Sequence, residues 1–291
     1  MRFRIPASTS NLGHGFDCLG MAVDLANTVT LTPCDTPCSS GNEGLDRLCG
    51  AVREQCQLFY GQPLTALSIQ ISGEVPIARG LGSSATIILA LAAAYQRLAG
   101  HNLDRDELVR IGYGIEGHPD NVAAAALGGF TVAADLGSGL RCLRFAAPEK
   151  LSTVLVIPDY EVKTADARRV LPQELSRDEA VRGWQRACLI TAALASGLID
   201  DLADCFHEAW HEHYRIQLNP QLGAVRAAAA SAGAVGTFLS GSGSTMLSLC
   251  HDEQANAVAA TISAHLQRDG FAASVQVVKP DNTGLCQLDD E

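Results

Sequence analysis

Pro76-Ile77-Ala78-Arg79-Gly80-Leu81-Gly82-Ser83-Ser84-Ala85, running directly into Thr86-Ile87-Ile88-Leu89-Ala90-Leu91, decides how the rest of the chain is read. It is a glycine-rich loop that opens a helix. Apolar residues Ile87, Ile88, Leu91, Tyr95 and Leu98 recur at helical spacing, and Gly100 closes the segment. Ser83 or Ser84 is expected to cap the helix start. Free backbone N–H groups and the positive end of the helix dipole then face whatever the loop encloses. The glycines let that backbone approach a ligand with no Cβ in the way. Such a loop is a seat for phosphate.

Several phosphate-loop families can be tested against it. The P-loop pattern requires Gly-Lys-Ser/Thr after four spacer residues, and no lysine lies near this loop. Gly80-Leu-Gly82-Ser-Ser-Ala85 fits the looser dinucleotide fingerprint, with Asp104 downstream. That fingerprint belongs on the first strand of a βαβ unit, whereas here a long stretch of other sequence precedes it. The dinucleotide reading is therefore set aside.

With 291 residues the chain can form one large or two ordinary domains. Its 47% apolar and 18% charged content suits a compact globular protein. The longest apolar runs, Ala85 to Tyr95 and Ala187 to Ala195, are too short to cross a bilayer. The opening Met-Arg-Phe-Arg-Ile-Pro has no signal-peptide core, so a cytoplasmic location is expected. A net charge of −11 argues against nucleic acid or anionic membrane as partner. An anionic ligand therefore requires locally placed cations. The ten cysteines include no Cys-x-x-Cys pair, the nearest two being Cys34 and Cys38. They read as free thiols among apolar residues rather than disulfides or zinc ligands.

The chain divides into two halves, expected as domains 1–150 and 151–291. In the first, Val29 to Leu31, Leu67 to Ile71 and Phe130 to Ala133 read as strands. Asp46 to Tyr60, Ser84 to Leu98 and Asp104 to Ile115 read as helices, with a long polar loop from Pro33 to Gly44. The second half opens with the buried strand Thr153 to Ile157. Helices are expected at 178–197, 199–213, 220–231 and 253–267, and strands at Gly236 to Leu239, Met246 to Cys250 and Ala273 to Val278. With an extra helix inserted, this is the βαββαβ order of the ferredoxin-like arrangement. Neither half repeats βα units, so the fold class is α+β in two domains.

Two further glycine-bearing segments stand with the loop. Pro6-Ala-Ser-Thr-Ser-Asn11-Leu-Gly13-His-Gly15-Phe-Asp17 leaves Asn11 and Asp17 as polar handles. Leu239-Ser-Gly241-Ser-Gly243-Ser-Thr245 is a hairpin whose glycines allow a tight turn or close ligand approach. The three, in this order, resemble the superfamily of galactokinase, homoserine kinase, mevalonate kinase and phosphomevalonate kinase. Asn11-Leu-Gly-His-Gly-Phe-Asp17 and Glu116-Gly-His118-Pro-Asp120-Asn121-Val, followed by Leu127-Gly-Gly-Phe130, resemble the homoserine kinases most. His211-Glu-His-Tyr214-Arg215 and Asp281-Asn-Thr-Gly284 resemble them less specifically.

The resemblance implies an N-terminal nucleotide-binding domain of the ribosomal protein S5 domain 2-like type and a ferredoxin-like substrate domain. It implies a transferase of threonine biosynthesis, an ATP-dependent kinase that phosphorylates the hydroxyl of L-homoserine to O-phospho-L-homoserine. It also assigns roles. Loop residues Pro76 to Ala85 would hold ATP, and Ser84 with Glu116 would hold Mg2+, an ion that prefers oxygen ligands. Asn121 would act at the transfer with that pair. Asn11, Asp17, His118, Asn121, Arg186, Arg215 and Gly243 would bind the amino acid, Asp17 taking its ammonium and the two arginines its carboxylate. No general base is assigned. Related enzymes form dimers, so a homodimer fits the resemblance.

Three positions depart from the family pattern. Gly241-Ser-Gly243-Ser-Thr lacks a stiffening proline. Arg47 stands where an adenine-facing asparagine is usual and is expected to alter the base pocket. Arg182 replaces a small polar residue in the substrate lobe. These keep open a related kinase acting on another small hydroxy acid, such as threonine; a non-catalytic nucleotide-binding homologue is the remaining alternative. His207, His211 and His213 with Glu208 and Glu212 mimic a metal cluster, but no His-Glu-x-x-His order appears, and a solvated helix face is expected.

Overall fold

The computed structural model describes residues 1–35, 40–207 and 209–289. Strand β1 (Arg2–Asn11) turns into β2 (Gly15–Cys34), a strand of 20 residues that pairs with β1 and with two further strands. Its far end pairs with β3 (Ala66–Gly73), its near end with β4 (Phe130–Asp135), and β4 continues to β5 (Leu140–Phe145). Only the far end alternates buried and part-buried residues. From Leu19 to Val23 both faces are covered, so no period of two marks the strand in the sequence. That is why the reading found Val29 to Leu31 and missed the rest.

Four helices cover one face: α1 (Glu43–Tyr60), α2 (Ser83–Leu98), α3 (Arg105–Glu116) and α4 (Asp120–Leu127). Helix α2 is the centre of this layer. Ala85 and the run Ile88 to Gln96 are buried all round, between the sheet and its sister helices. A helix apolar on every side has to be interior. The opposite face of β1 and β2, with Ala7, Leu19, Met21 and Val23, packs onto the second half of the chain.

That half begins at β6 (Leu151–Pro158). Then come α5 (Thr164–Arg169), α6 (Arg177–Ser196), α7 (Trp210–Arg215), α8 (Leu222–Ser231), β7 (Gly236–Leu239), β8 (Met246–His251), α9 (Asp252–Arg268) and β9 (Ala273–Val278). The sheet order β7-β8-β6-β9, antiparallel throughout, is the ferredoxin-like arrangement. The continuous helix expected at 199–213 is replaced by a 3-10 turn at Ile199–Leu202, irregular turns and the short α7. Asp204 has a positive φ of 66°, which a helix cannot accommodate. Ile199, Leu202, Cys205 and Phe206 instead point together into the core shared by both halves.

After β9 the chain returns to the first sheet, where β10 (Cys286–Leu288) pairs antiparallel with the start of β1. The Asp281–Gly284 turn is bound there as well. The Asp281 carbonyl accepts the Gly129 amide at 2.7 Å, and its carboxylate pairs with Arg4 at 2.7 Å. Residues 281–288 are thus held against the first sheet. No helix among the described residues is long and apolar enough to cross a membrane.

Candidate active site

A cavity of about 480 Å³ lies where the two sheets meet. One wall is the phosphate loop, and its backbone is fixed at five successive carbonyls, Ala78 to Gly82. Ala78 accepts from the Val162 amide (3.1 Å), Arg79 from the Thr245 amide (3.0 Å), and Gly80 from the Ser240 hydroxyl (2.7 Å). Leu81 accepts from the Ser8 amide (3.2 Å) and Gly82 from Thr86 (3.1 Å). Three of these five donors belong to the second half of the chain. With its carbonyls held outward, the loop presents the amides at the start of α2, which have no intrahelical acceptor.

Neither Ser83 nor Ser84 caps that helix. The N-cap is Gly82, left-handed at φ 67°, with no side-chain cap. A Cβ there would lie 2.3 Å from the Ser8 hydroxyl, so glycine is required and the amides stay open. Ile77, Ala78, Arg79, Gly80, Gly82, Ser83 and Ser84 line the cavity, whereas Leu81 and Ala85 are buried behind it and Pro76 lies outside the lining. The Arg79 guanidinium turns away, bonding to the carbonyls of Pro158 (3.0 Å) and Ile77 (3.2 Å).

Beside the loop, Ser84 at the start of α2 and Glu116 at the end of α3 both line the cavity. Burial pushes the Glu116 carboxyl up, while His118 and the Ser84 hydroxyl pull it partly back. His118 places Nδ1 2.8 Å from Asp120, which also accepts the Asn121 amide. Burial works against a charged His118, but that bond and the carboxylates of Asp120, Glu116 and Asp17 outweigh it, so its pKa is raised. Asp17, His118 and Asp120 come close enough to share a cation. His118 already holds Asp120, and Asp17 is engaged elsewhere, so the trio reads as an orienting network.

The facing wall is made of side chains. Asn121 is held by Ser8 (2.9 Å) and Ser10 (3.0 Å), and Asn11 by the Gly241 carbonyl (3.1 Å). The Asn11 side chain also accepts the Asp17 amide, fixing a residue whose φ is 55°. Asp17 takes a forked ion pair from Arg168, at 2.7 and 3.0 Å. Arg215 is buried and bonds the carbonyls of Ala167 (3.1 Å) and Gly241 (3.0 Å) and Nδ1 of His211 (3.3 Å). Arg168 and Arg215 both lie against the Phe16 ring, at 5.4 and 5.3 Å.

Not every expected residue is brought here. Arg186 does not line the cavity. It donates to the His207 carbonyl at 2.6 Å, fastening the 203–207 turns to α6. Arg168, which the sequence reading did not single out, lines the cavity together with Arg215. It sits on the six-residue α5, where no periodic signal pointed to it. Gly243 packs against Gly80 and Asn219 instead of lining the cavity. Arg47 is exposed and pairs with Glu43 across one helical turn, while Asn42, Gly44, Leu45 and Leu48 form the cavity rim. Arg182 lies outside the cavity, near Glu179 and Trp210. Of the residues expected on a solvated helix face, His207 and His213 are exposed, but His211 and Glu212 are not. His211 is buried and donates to the Gly13 carbonyl (2.7 Å), and buried Glu212 pairs with Arg226 (2.6 Å) and the Leu239 amide (2.7 Å). Glu208 and Cys38 fall outside the described residues.

Comparison with known proteins agrees with this geometry. The model of the GHMP kinases N terminal domain matches residues 47–129, and that of the GHMP kinases C terminal domain matches 190–268. The homoserine kinase of Microchaete diplosiphon is 36% identical, with 98% of this chain and 96% of the relative covered. That of Moorella thermoacetica is 34% identical, with 97% of each covered. The solved homoserine kinase of Cytophaga hutchinsonii superposes with a TM-score of 0.85 at 25% identity, over 98% of this chain and 96% of the other. The mevalonate kinase of Methanococcus jannaschii, at 17% identity and a TM-score of 0.70 over 96% and 98% of the two chains, shares the fold. The family models and the full-length likeness agree: the chain belongs to the homoserine kinase family of the GHMP kinases.

Proposed function

We propose that this protein transfers the terminal phosphoryl group of ATP to the side-chain hydroxyl of L-homoserine, giving O-phospho-L-homoserine. One observation carries the reading. A loop of open amides and a carboxylate-plus-arginine constellation suited to a zwitterion face each other across one cavity.

The roles follow from the contacts. Amides from Gly80 to Ala85 cradle the β- and γ-phosphates and meet the charge that develops on them. The Asp17 carboxylate takes the substrate ammonium, and Arg168 and Arg215 take its carboxylate. This exchanges the internal Arg168–Asp17 pair for two substrate pairs. Asn11 and Asn121 orient the hydroxyl. The transition state is loose, so positioning and charge stabilisation dominate, and no protein base is needed to start the transfer. Ser84 and Glu116 fit Mg2+: two oxygen donors that line the cavity beside the loop, a hydroxyl and a half-buried carboxylate. When bound there the ion would neutralise phosphate charge.

A coupled ADP-release assay against homoserine, threonine, serine and mevalonate tests the assignment. Homoserine is expected to give the highest kcat/KM, and its methyl ester to be poor. Equal phosphorylation of ester and acid would remove the carboxylate clamp, and with it the case for an amino acid substrate.

A further inference from the structure

The cavity is expected to receive a polyanion in a chain of net charge −11, yet its most obvious cations are committed. Arg79 is folded back onto Pro158 and Ile77, within 4.0 Å of Asp159 and 3.6 Å of Glu161. Arg168 holds Asp17, and Arg215 is buried against carbonyls. The chain has three lysines. Lys279 is bound to Asp252, and Lys150 lies in the turn before β6, its carbonyl accepting the Asp252 amide. The third, Lys163, lines the cavity.

Lys163 immediately precedes α5, and its neighbour Val162 donates its amide to the Ala78 carbonyl of the phosphate loop (3.1 Å). Its backbone is thus one residue from a direct bond to the loop, and a lysine side chain extends roughly 6 Å, four carbons beyond its Cα. The acids around it have arginine partners: Asp159 and Glu161 face Arg79, Asp166 pairs with Arg169 (3.0 Å), and Asp17 pairs with Arg168. The ammonium of Lys163 has no hydrogen-bond or ion-pair partner among the described residues, and the residue is exposed. A lone flexible cation, adjacent to a cradle of amides and without a counter-ion, lacks only the anion that the cradle is built for.

We propose that Lys163 is a catalytic cation that contacts the γ-phosphoryl group of the bound nucleotide. It reaches the phosphate from the second half of the chain and supplies the charge that P-loop enzymes draw from a lysine inside the loop itself. The contact strengthens as negative charge builds on the transferring group and the β-phosphate, so it lowers the barrier as well as the dissociation constant. Val162 tethers the segment to Ala78, so the lysine is delivered by a fixed anchor with only its own side chain left to order. This inference rests on the nucleotide half of the proposed function and is independent of which alcohol accepts the phosphate.

The test compares the parent with Lys163→Met and Lys163→Arg, using the β,γ-imido analogue of ATP and ADP as calorimetric probes and a coupled assay for turnover. In Lys163→Met the analogue is expected to bind about 10-fold more weakly and ADP within about 2-fold of the parent, while kcat falls about 10- to 100-fold. Lys163→Arg should restore most of the preference for the triphosphate, since the charge returns with a different shape. The KM for homoserine should stay within about 2-fold, because Arg168 and Asp17 are untouched. An unchanged ratio of analogue to ADP affinity in Lys163→Met would overturn the proposal, and so would equal weakening of both nucleotides. Failure of homoserine as acceptor, with the nucleotide ratios still altered, would overturn the substrate assignment and leave Lys163 in place.

Discussion

The two walls of the cavity are built in different ways. The phosphate wall is backbone: five successive carbonyls are pinned by neighbours so that amides face inward, and Gly80 and Gly82 are there because any Cβ would collide. The facing wall is side chains: Asp17, Arg168 and Arg215 converge from β2, α5 and α7, and each is held by partners far away in sequence. A backbone wall grips any polyphosphate and tolerates almost no substitution. A side-chain wall chooses one substrate and can be retuned.

The largest effect should come from the backbone wall. Gly80 has φ +77°, and a Cβ would lie 2.2 Å from the Ser240 carbonyl oxygen. Gly80→Ala should therefore displace the loop and cut kcat/KM for ATP by about 100-fold or more, read in a steady-state assay alongside a melting curve. Near-parent turnover would show that the wall is softer than its packing implies.

Side-chain replacements should split more selectively. Arg168→Ala should raise the KM for homoserine by about 100-fold and leave that for ATP within about 2-fold. Arg186→Ala should leave both constants nearly alone and cost about 1 kcal/mol of stability, through the bond lost to the His207 carbonyl. The reverse pattern would return Arg186 to the site.

A last effect, outside both nucleotide and substrate contacts, concerns pH. Burial, and next the nearby Arg215, push the pKa of His211 from its ordinary 6.5 down to about 3. The unfolded chain therefore takes up a proton below pH 6.5 that the folded chain refuses, and stability falls as pH drops from 6.5 toward 3. A His211→Gln variant lacks this proton. Between pH 7.5 and pH 5, denaturant titrations should show the parent losing about 2 kcal/mol relative to the variant. Parallel curves would mean that the imidazole accepts a proton in place and does not lock Arg215 as a neutral acceptor.

Legibility divides along the same line. The phosphate wall was readable because glycine spacing and a following helix are local facts, although the expected serine cap proved to be an open Gly82. Asp17, His118 and Asn121 were readable as parts of short motifs. Arg168 was not, because its partner Asp17 is 151 positions away and α5 is too short to carry a period. Arg186 misled because its helix has an ordinary amphipathic face, and only tertiary packing decides which way that face points. Most of β1 and β2 was missed for a related reason: a strand covered on both faces writes no alternation.

The return of the chain to its own beginning has a consequence for how the molecule is made. The edge of the first sheet beside β1 is filled by Cys286–Leu288, and the Asp281–Gly284 turn seals Gly128 and Gly129. The half of the molecule translated first is thus the half whose sheet is finished last. A nascent chain emerging in order would carry an uncovered strand edge until residues 286–288 arrived, and that is a template for wrong pairing. The sequence distance closed by β10 makes this contact a slow one to form and an early one to lose.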